Sequence, residues 1–479
     1  MSLRVTSSSR LLGALLAGLT AVATLASEPT PVATPAVTPA VTPVAVTAAT
    51  PAAVTAPAPS VAPPATTTAP SLAAAPAAAS TLDDQARFLA GLPVSAGSPL
   101  ATWQATGDYR DHAALMGSEW KKLSDRLDRA IAWQQTELAP LIQGNRNLIY
   151  FFGGPDAVHA VRLFPDAPVY LLAGLEPVGV VEPPENMKYA QLHAAIDGLS
   201  NSLRTFVAKS FFRTTEMGKD LQGHGIKGVL PELYLMLSRS GATIDATSFF
   251  EVDAKGGATE KAAGQKWGPG VPGVKVKFHF GEKAAQEMIY VRVNLINGEL
   301  DKQPGFLVWA RSFGPANSFL KAASFILHDN AFSRPRALLL EASAAVVEDD
   351  SGIPYRAFGK GEWDFTCFGK YLAPRDPFEK QYQKDLSKAC AELPARPLPF
   401  IIGYRRPSDT FLLVAVKRSA EASAAGPSAT PAAKPADPAE GPVVQPVPVQ
   451  PTAAPPAPGP AAVNAVPAPA PAPVTLPAQ

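Results

Sequence analysis

Acidic side chains set beside glycines are the first feature of this chain with chemical content. Residues 148–179 read LIYFFGGPDAVHAVRLFPDAPVYLLAGLEPVG: one apolar run breaks on Gly153, Gly154 and Asp156, and a second ends at Glu176. In dinucleotide- and methyl-donor-binding folds, glycines at such a turn let the backbone approach the ligand. An acid about 20 positions further on takes the ribose hydroxyls, and Glu176 stands at about that distance from Gly154. Three features oppose a cofactor here. GGPD is not GxGxxG, Pro155 removes a backbone donor, and Asp156 puts negative charge where a phosphate would sit. The pair keeps two other readings. Either Asp156 caps a helix after a tight glycine turn, or Asp156 and Glu176 both face outward into a binding or catalytic cleft at the carboxyl ends of neighbouring strands.

Other polar groups offer chemistry of their own. Gly223, Gly225 and Gly228 do match GxGxxG, but FFRTTEMGKDLQ before them reads as helix or loop, and the motif needs a strand there. His224 inside that glycine loop is suited to act as a base or nucleophile; the plainer alternative is a loop between two helices. Glu348, Asp349 and Asp350 precede a Ser-Gly turn and then Tyr355 and Arg356. Clustered carboxylates hold a hard cation or work as acid and base; otherwise they form a solvated acidic turn. The alternating oxygen ligands of a calcium loop are not matched. His328 and Asp329 fit a helix end with a capping acid. His112, His159, His193 and His279 read as surface or core positions. No GxSxG elbow occurs.

These residues need elements to hold them. LDDQARFLAGL and GSEWKKLSDRLDRAIAWQQTELAPLI have helical periodicity, with Trp120, Leu123, Leu127, Ile131 and Trp133 near one face. NLIYFF predicts a strand, PDAVHAVRLF a helix and PVYLLAGLEPVGVV a strand. Helices are expected over about 189–212 and over GVLPELYLMLSRSG. ATIDATSFFEVD, GVKVKFHFG, EMIYVRVNL and GFLVWARSF read as strands. PANSFLKAASFILHD has amphipathic helical spacing, with Pro315 suited to its first turn. RALLLEAS reads as a strand, with a helix as the alternative. GIPYRAF and WDFTCFGKYL are expected strands, and DPFEKQYQKDLSKACAEL a helix. LPFIIGYRRPSDTFLLVAVKR suggests two antiparallel strands joined by RRPSD. The expected fold is α/β: a mixed, largely doubly wound sheet flanked by helices and closed by a C-terminal antiparallel hairpin.

The chain ends bear on location. Arg4 and Arg10 precede the apolar run Leu11–Ala26, and Thr24 and Ala26 are small residues placed for cleavage before Ser27. This is the pattern of a secretory signal over 1–26, too short for the roughly 20 residues of a membrane span. Residues 27–81 and 419–479 are rich in Ala and Pro, and hold most of the 51 prolines. Proline removes backbone donors and few large side chains remain to bury, so both are expected to be extended and disordered. Residues 82–418 have globular composition, enough for one large domain. With 42 basic and 41 acidic residues and no long basic run, nucleic acid is not an expected partner. After signal cleavage no integral membrane span is expected. In an oxidising compartment Cys367 and Cys390 can form a disulfide; buried thiols are the alternative, and no zinc-ligand spacing accompanies them.

The stretches YFFGGPDAVHAVRLFPDAPVYLLAGLEPVG, LKAASFILHDNAFS and EDDSGIPYRAF resemble an uncharacterised family of exported bacterial proteins with GPD…FP…GLEPVG and DDSGIPYR blocks. The resemblance covers most of the folded region and neither tail. It implies one fold over about 82–418 and, because that family has no assigned activity, no catalytic residue. The first expectation is an exported envelope or extracellular binding module, its partner an unidentified small molecule or envelope component. The second is a hydrolase working through Asp156, Glu176, Asp349 and Asp350 with His224. The third is a nucleotide- or S-adenosylmethionine-binding enzyme of the cytoplasm, which export would eliminate. Nothing in the sequence specifies a cofactor. A reporter that works only outside the cytoplasm, fused after residue 40, is expected to become active; a fusion retained in the cytoplasm would defeat the exported readings.

Overall fold

The computed structural model of the chain describes residues 80–142, 144–209, 211, 226–405 and 408–418. The signal over 1–26, the linker as far as residue 79, the tail over 419–479 and His224 lie outside the described residues.

Two apolar runs with a short amphipathic piece between them build the first unit. β1 (Asn147–Phe151) leads through the turn at Gly153 and Gly154 into a helix (Ala157–Leu163), and then into β2 (Val169–Gly174). β1 and β2 pair in parallel. β3 (Val180–Val181) and β4 (Ile226–Lys227) form a separate two-stranded ladder. β5 (Thr243–Val252), β6 (Ala258–Lys261), β7 (Val271–His279) and β8 (Gln286–Arg292) follow. β9 (Ala316–Leu320), β10 (Ser343–Glu348), β11 (Trp363–Gly369) and β12 (Phe411–Lys417) complete the ten-stranded sheet, in the order β11-β12-β10-β9-β1-β2-β8-β7-β5-β6. The central five, β10-β9-β1-β2-β8, are parallel, and antiparallel pairs extend both sides. The sheet is mixed and doubly wound.

The strands alternate their side chains between two cores. Leu148 and Tyr150 of β1 face one; Ile149 and Phe151 face the other. The first core is completed by α1 (Leu82–Leu89), α2 (Gly107–Trp133), α3 (Ala157–Leu163), α4 (Tyr189–Lys209) and α5 (Leu230–Arg239). The second is completed by α6 (Gly305–Arg311), α7 (Ser333–Ala342) and Leu386 of α8 (Lys384–Glu392). The chain therefore leaves β1 on one face through α3 and leaves β9 on the other through α7. Strand order reverses between these neighbours, and in open α/β sheets ligands bind outside the carboxyl ends of the strands at such a switch point.

Several local expectations are corrected. PANSFLKAASFILHD is not one helix: it is β9 followed by a short 3-10 turn, Ile326–His328. All five residues of β9 are buried, so the strand shows no polar alternation and its apolar spacing imitates a helix. GFLVWAR is helical, with Val308 outward and Phe306, Leu307 and Trp309 inward. RALLLEA belongs to α7, and GIPYRAF holds only the 3-10 turn Tyr355–Ala357. LPFIIGY is not a strand; β12 closes the chain against β11.

Cys367 of β11 and Cys390 of α8 are bonded, with their Cα atoms 5.7 Å apart. The bond anchors a long excursion between β11 and β12. Closing a loop over a separation of 23 residues restricts the unfolded chain by about 3 kcal/mol. Replacing both cysteines by serine is expected to lower unfolding free energy in urea by about that amount. An unchanged midpoint would show that the bond does not constrain the folded domain.

Candidate functional site

Asp156 follows the glycine turn at the end of β1 and is fully buried. It caps α3 by accepting the backbone N–H of His159 at 3.2 Å. The Tyr150 hydroxyl donates to Oδ2 at 2.7 Å. His159 Nδ1 stands 2.9 Å from Oδ1, and a proton there donates to the carboxylate. The fourth partner is the Nζ of Lys321, the residue after β9. Gly153 makes this packing possible: a Cβ at that position would lie 2.4 Å from the Tyr150 ring.

Burial opposes the charge on Asp156, but His159 and Lys321 outweigh it and hold the carboxyl below its usual range. The partner does not gain in step. Burial draws the Lys321 ammonium down, with Asp156 acting against that and Arg126 adding to it. Both shifts have a physical basis, since the carboxylate collects several donors while the ammonium is more deeply desolvated. The Phe206 ring lies 5.3 Å from Nζ, a further favourable contact for a cation. Burial takes His159 down to about 4, so its ring is neutral at physiological pH.

The turn after β9 has an unusual backbone. Ala322, Ser324 and Phe325 have φ of 54°, 55° and 58°, and Phe152 at the end of β1 has 66°. These are the four non-glycine residues with positive φ among the described residues. Side chains bearing a Cβ resist this region, at about 1–3 kcal/mol each. The acidic block holds the turn in place. Asp349 Oδ2 accepts the Ala322 N–H at 2.8 Å, Ser351 Oγ accepts that of Ala323 at 2.8 Å, and the Ser351 carbonyl accepts that of Phe325 at 3.1 Å. Asp349 Oδ1 in turn takes the Ser351 N–H at 2.9 Å. Tyr404 donates to the Ala322 carbonyl at 2.7 Å. A Cβ on Gly403 would lie 1.8 Å from Asp349 Oδ2, so only glycine lets this segment approach.

The other two acids of the block are equally engaged. Asp350 makes a two-pronged pair with Arg405; burial and neighbouring Asp349 push its carboxyl up to about 7 against the pull of that guanidinium. Glu348 accepts the Ile353 N–H at 2.7 Å, and burial pushes its carboxyl well up. Asp349 is raised, with burial the main cause. The solvated acidic turn is thereby replaced by a buried scaffold. Among the described residues no group of three or more His, Cys, Asp or Glu side chains is placed to share a metal ion.

Of the candidates read from sequence, Asp156, Asp349 and Asp350 come together around the β9 turn. Glu176 does not join them. It is buried at the end of β2, with Oε2 accepting the Tyr290 hydroxyl of β8 at 3.0 Å. Asp156 turns toward β9 and Glu176 toward β8, so the outward-facing pair expected from the strand ends is not formed. Sequence reasoning missed Lys321, Tyr404 and Arg405. Lys321 would have been found had β9 been recognised as a strand, because it stands at the carboxyl end.

A depression of about 430 Å³ lies at the amino ends of β9 and β10, lined among others by Arg311, Glu341, Lys417 and Arg418. Arg311 pairs with Glu341, Arg418 with Asp364, and Lys417 donates to main-chain carbonyls. Those polar groups serve the fold, at the ends of the strands opposite Asp156 and Lys321. No family model, curated protein or solved structure matches the chain. No described helix is long and apolar enough to cross a membrane.

Asp156→Asn takes the Asp156 carboxylate away from the buried Lys321 ammonium and is expected to cost about 3–5 kcal/mol at neutral pH. The depressed carboxyl stabilises the fold above the unfolded value of about 3.9 and loses that contribution as pH falls through the folded value. The gap between wild type and variant should therefore narrow in acid. Urea unfolding at several pH values measures it, and a constant gap would dissociate the charge of Asp156 from stability.

Proposed function

We propose that the protein is an exported binding module whose ligand, a small molecule or small envelope component, sits in the crevice at the carboxyl ends of β1 and β9. One observation carries the site: all four left-handed non-glycine residues among the described residues lie at the switch point, Phe152 just after β1 and Ala322, Ser324 and Phe325 just after β9. Strain on both sides of a switch point is retained where the surroundings over-determine it, and such residues concentrate at ligand sites. Export is supported by the N-terminal signal pattern and by the resemblance to exported proteins. A binding role suits the side chains better than hydrolysis. The carboxylates are already committed to Lys321, Arg405 and backbone donors, and His159 is neutral and buried.

A nucleotide- or S-adenosylmethionine-binding enzyme is the second reading, and strand order favours it. The run β8-β2-β1-β9-β10-β12-β11, with β12 antiparallel, is an order used by methyl-donor-binding folds. Glu176 ends β2, where a ribose-binding acid belongs. Against it stand the bond from Tyr290 to that carboxylate and the signal pattern.

Ala322→Gly tests the strain. Glycine adopts this φ freely, so the variant is expected to gain up to about 1 kcal/mol in urea unfolding. It should also lose part of any ligand-induced thermal shift found in a small-molecule screen that includes S-adenosylmethionine, NAD and ATP. A stability loss, or ligand shifts identical to wild type, would count against a strained binding turn. A shift with S-adenosylmethionine that Glu176→Gln abolishes would favour the second reading.

A further inference from the structure

We infer that the chain is processed a second time, at the bond between Ala79 and Ser80, and that Glu185 receives the α-ammonium which that cut creates. The inference rests on the export reading and does not involve the switch point. Ser80 precedes α1 and is 9% exposed. Its N–H and its hydroxyl both donate to Glu185 Oε1, at 2.9 and 2.6 Å, from a position 105 residues away in sequence. Gln85 of α1 donates to the Ser80 carbonyl at 3.3 Å and to its Oγ at 3.0 Å. Thr81, the next residue, caps α1 by accepting the Asp84 N–H at 3.1 Å. The start of the domain is therefore built to hold Ser80 against Glu185.

Glu185 has more capacity than that contact uses. Its Oε2 is buried and has no hydrogen-bond partner, and no Lys, Arg or His among the described residues pairs with the carboxylate. A half-buried carboxylate with one oxygen unmet and no counter-charge is unfavourable. A backbone amide offers it a single proton. An α-ammonium at the same nitrogen offers three and a positive charge, enough to serve both oxygens with charge-assisted bonds. The positive end of α1 opposes a cation here, and Asp83 and Asp84 in its first turn offset that.

The sequence before Ser80 suits a cut. Ala77 and Ala79 place small residues three and one positions ahead of it, as Thr24 and Ala26 do ahead of Ser27. An endopeptidase of small-residue specificity adds water across the amide and breaks its C–N bond. Ala79 leaves with the carboxylate, and Ser80 keeps the amine, which takes up a proton at neutral pH. Docked Ser80 is closed off from a protease cleft, so hydrolysis comes first and docking second.

The protein is isolated from the cells that naturally make it, and its first residues are sequenced. Ser80 is expected as the N-terminus. A start at Ser27 would uphold export and overturn the second cut, and a start at Met1 would overturn both. Ala77→Phe combined with Ala79→Phe removes the small residues and should leave Ser27 as the N-terminus, which supplies the uncut chain for comparison. Glu185→Gln is then expected to lower the Tm of the cut protein by roughly 2–4 °C and that of the uncut chain by much less, because only the cut protein loses a charge pair. Equal shifts in the two would overturn Glu185 as the receptor of the new terminus.

Discussion

The buried pair between Asp156 and Lys321 is the constraint on which the centre of this fold depends. β1 sends its connection to one face through α3 and β9 sends its own to the other through α7, so no crossover helix spans the gap between their carboxyl ends. Side chains must close it. Two charges taken out of water are a poor source of stability by themselves. This pair is tolerable because Tyr150 and His159 complete the carboxylate and the Phe206 ring lies beside the ammonium. The benefit is positional: the end of β9 is fixed relative to the end of β1, and the following turn starts from a defined point.

From that point the acidic block takes over. Asp349 and Ser351, just beyond β10, accept the N–H groups that a left-handed turn would otherwise leave unpaired. The block thus works as a template for backbone rather than as a reactive cluster. Its carboxyls respond to pH in the opposite sense to Asp156. Burial raises Glu348 and Asp349, so the folded chain takes up their protons more readily than the unfolded chain does, and ionising them opposes folding. Asp156, held low by its donors, favours the folded chain when ionised. The carboxyl at the end of β1 and those at the end of β10 are therefore tuned against each other, and acid does not act on them uniformly.

Much of the scaffold was legible from pattern. The glycine break, the short helix and the second apolar run specify β1–α3–β2, and the capping role weighed for Asp156 is observed. The site was legible only in fragments. β9 is buried on both faces, so it shows no alternation, and a helical reading of SFLKAAS hides Lys321 inside an element instead of at its end. The acidic block was visible as a charge cluster, but its purpose depends on a turn contributed by another strand. Arg405 and Tyr404 arrive from the excursion between β11 and β12, which is positioned by a disulfide and by Gly403. No local pattern links those residues to Asp349 and Asp350.

The strained turn after β9 is a better candidate for function than the carboxylates themselves. A reactive acid needs access and a proton partner, and here each acid is closed off by a bond that the fold requires. The backbone of the turn is different. Phe152, Ala322, Ser324 and Phe325 have left-handed backbones, and five polar contacts from two other segments hold the turn over 322–325, four of them on Ala322, Ser324 and Phe325. Maintaining strain in this way makes physical sense if the resulting backbone is already in the shape a ligand requires, because the ordering cost is then met during folding and not on binding.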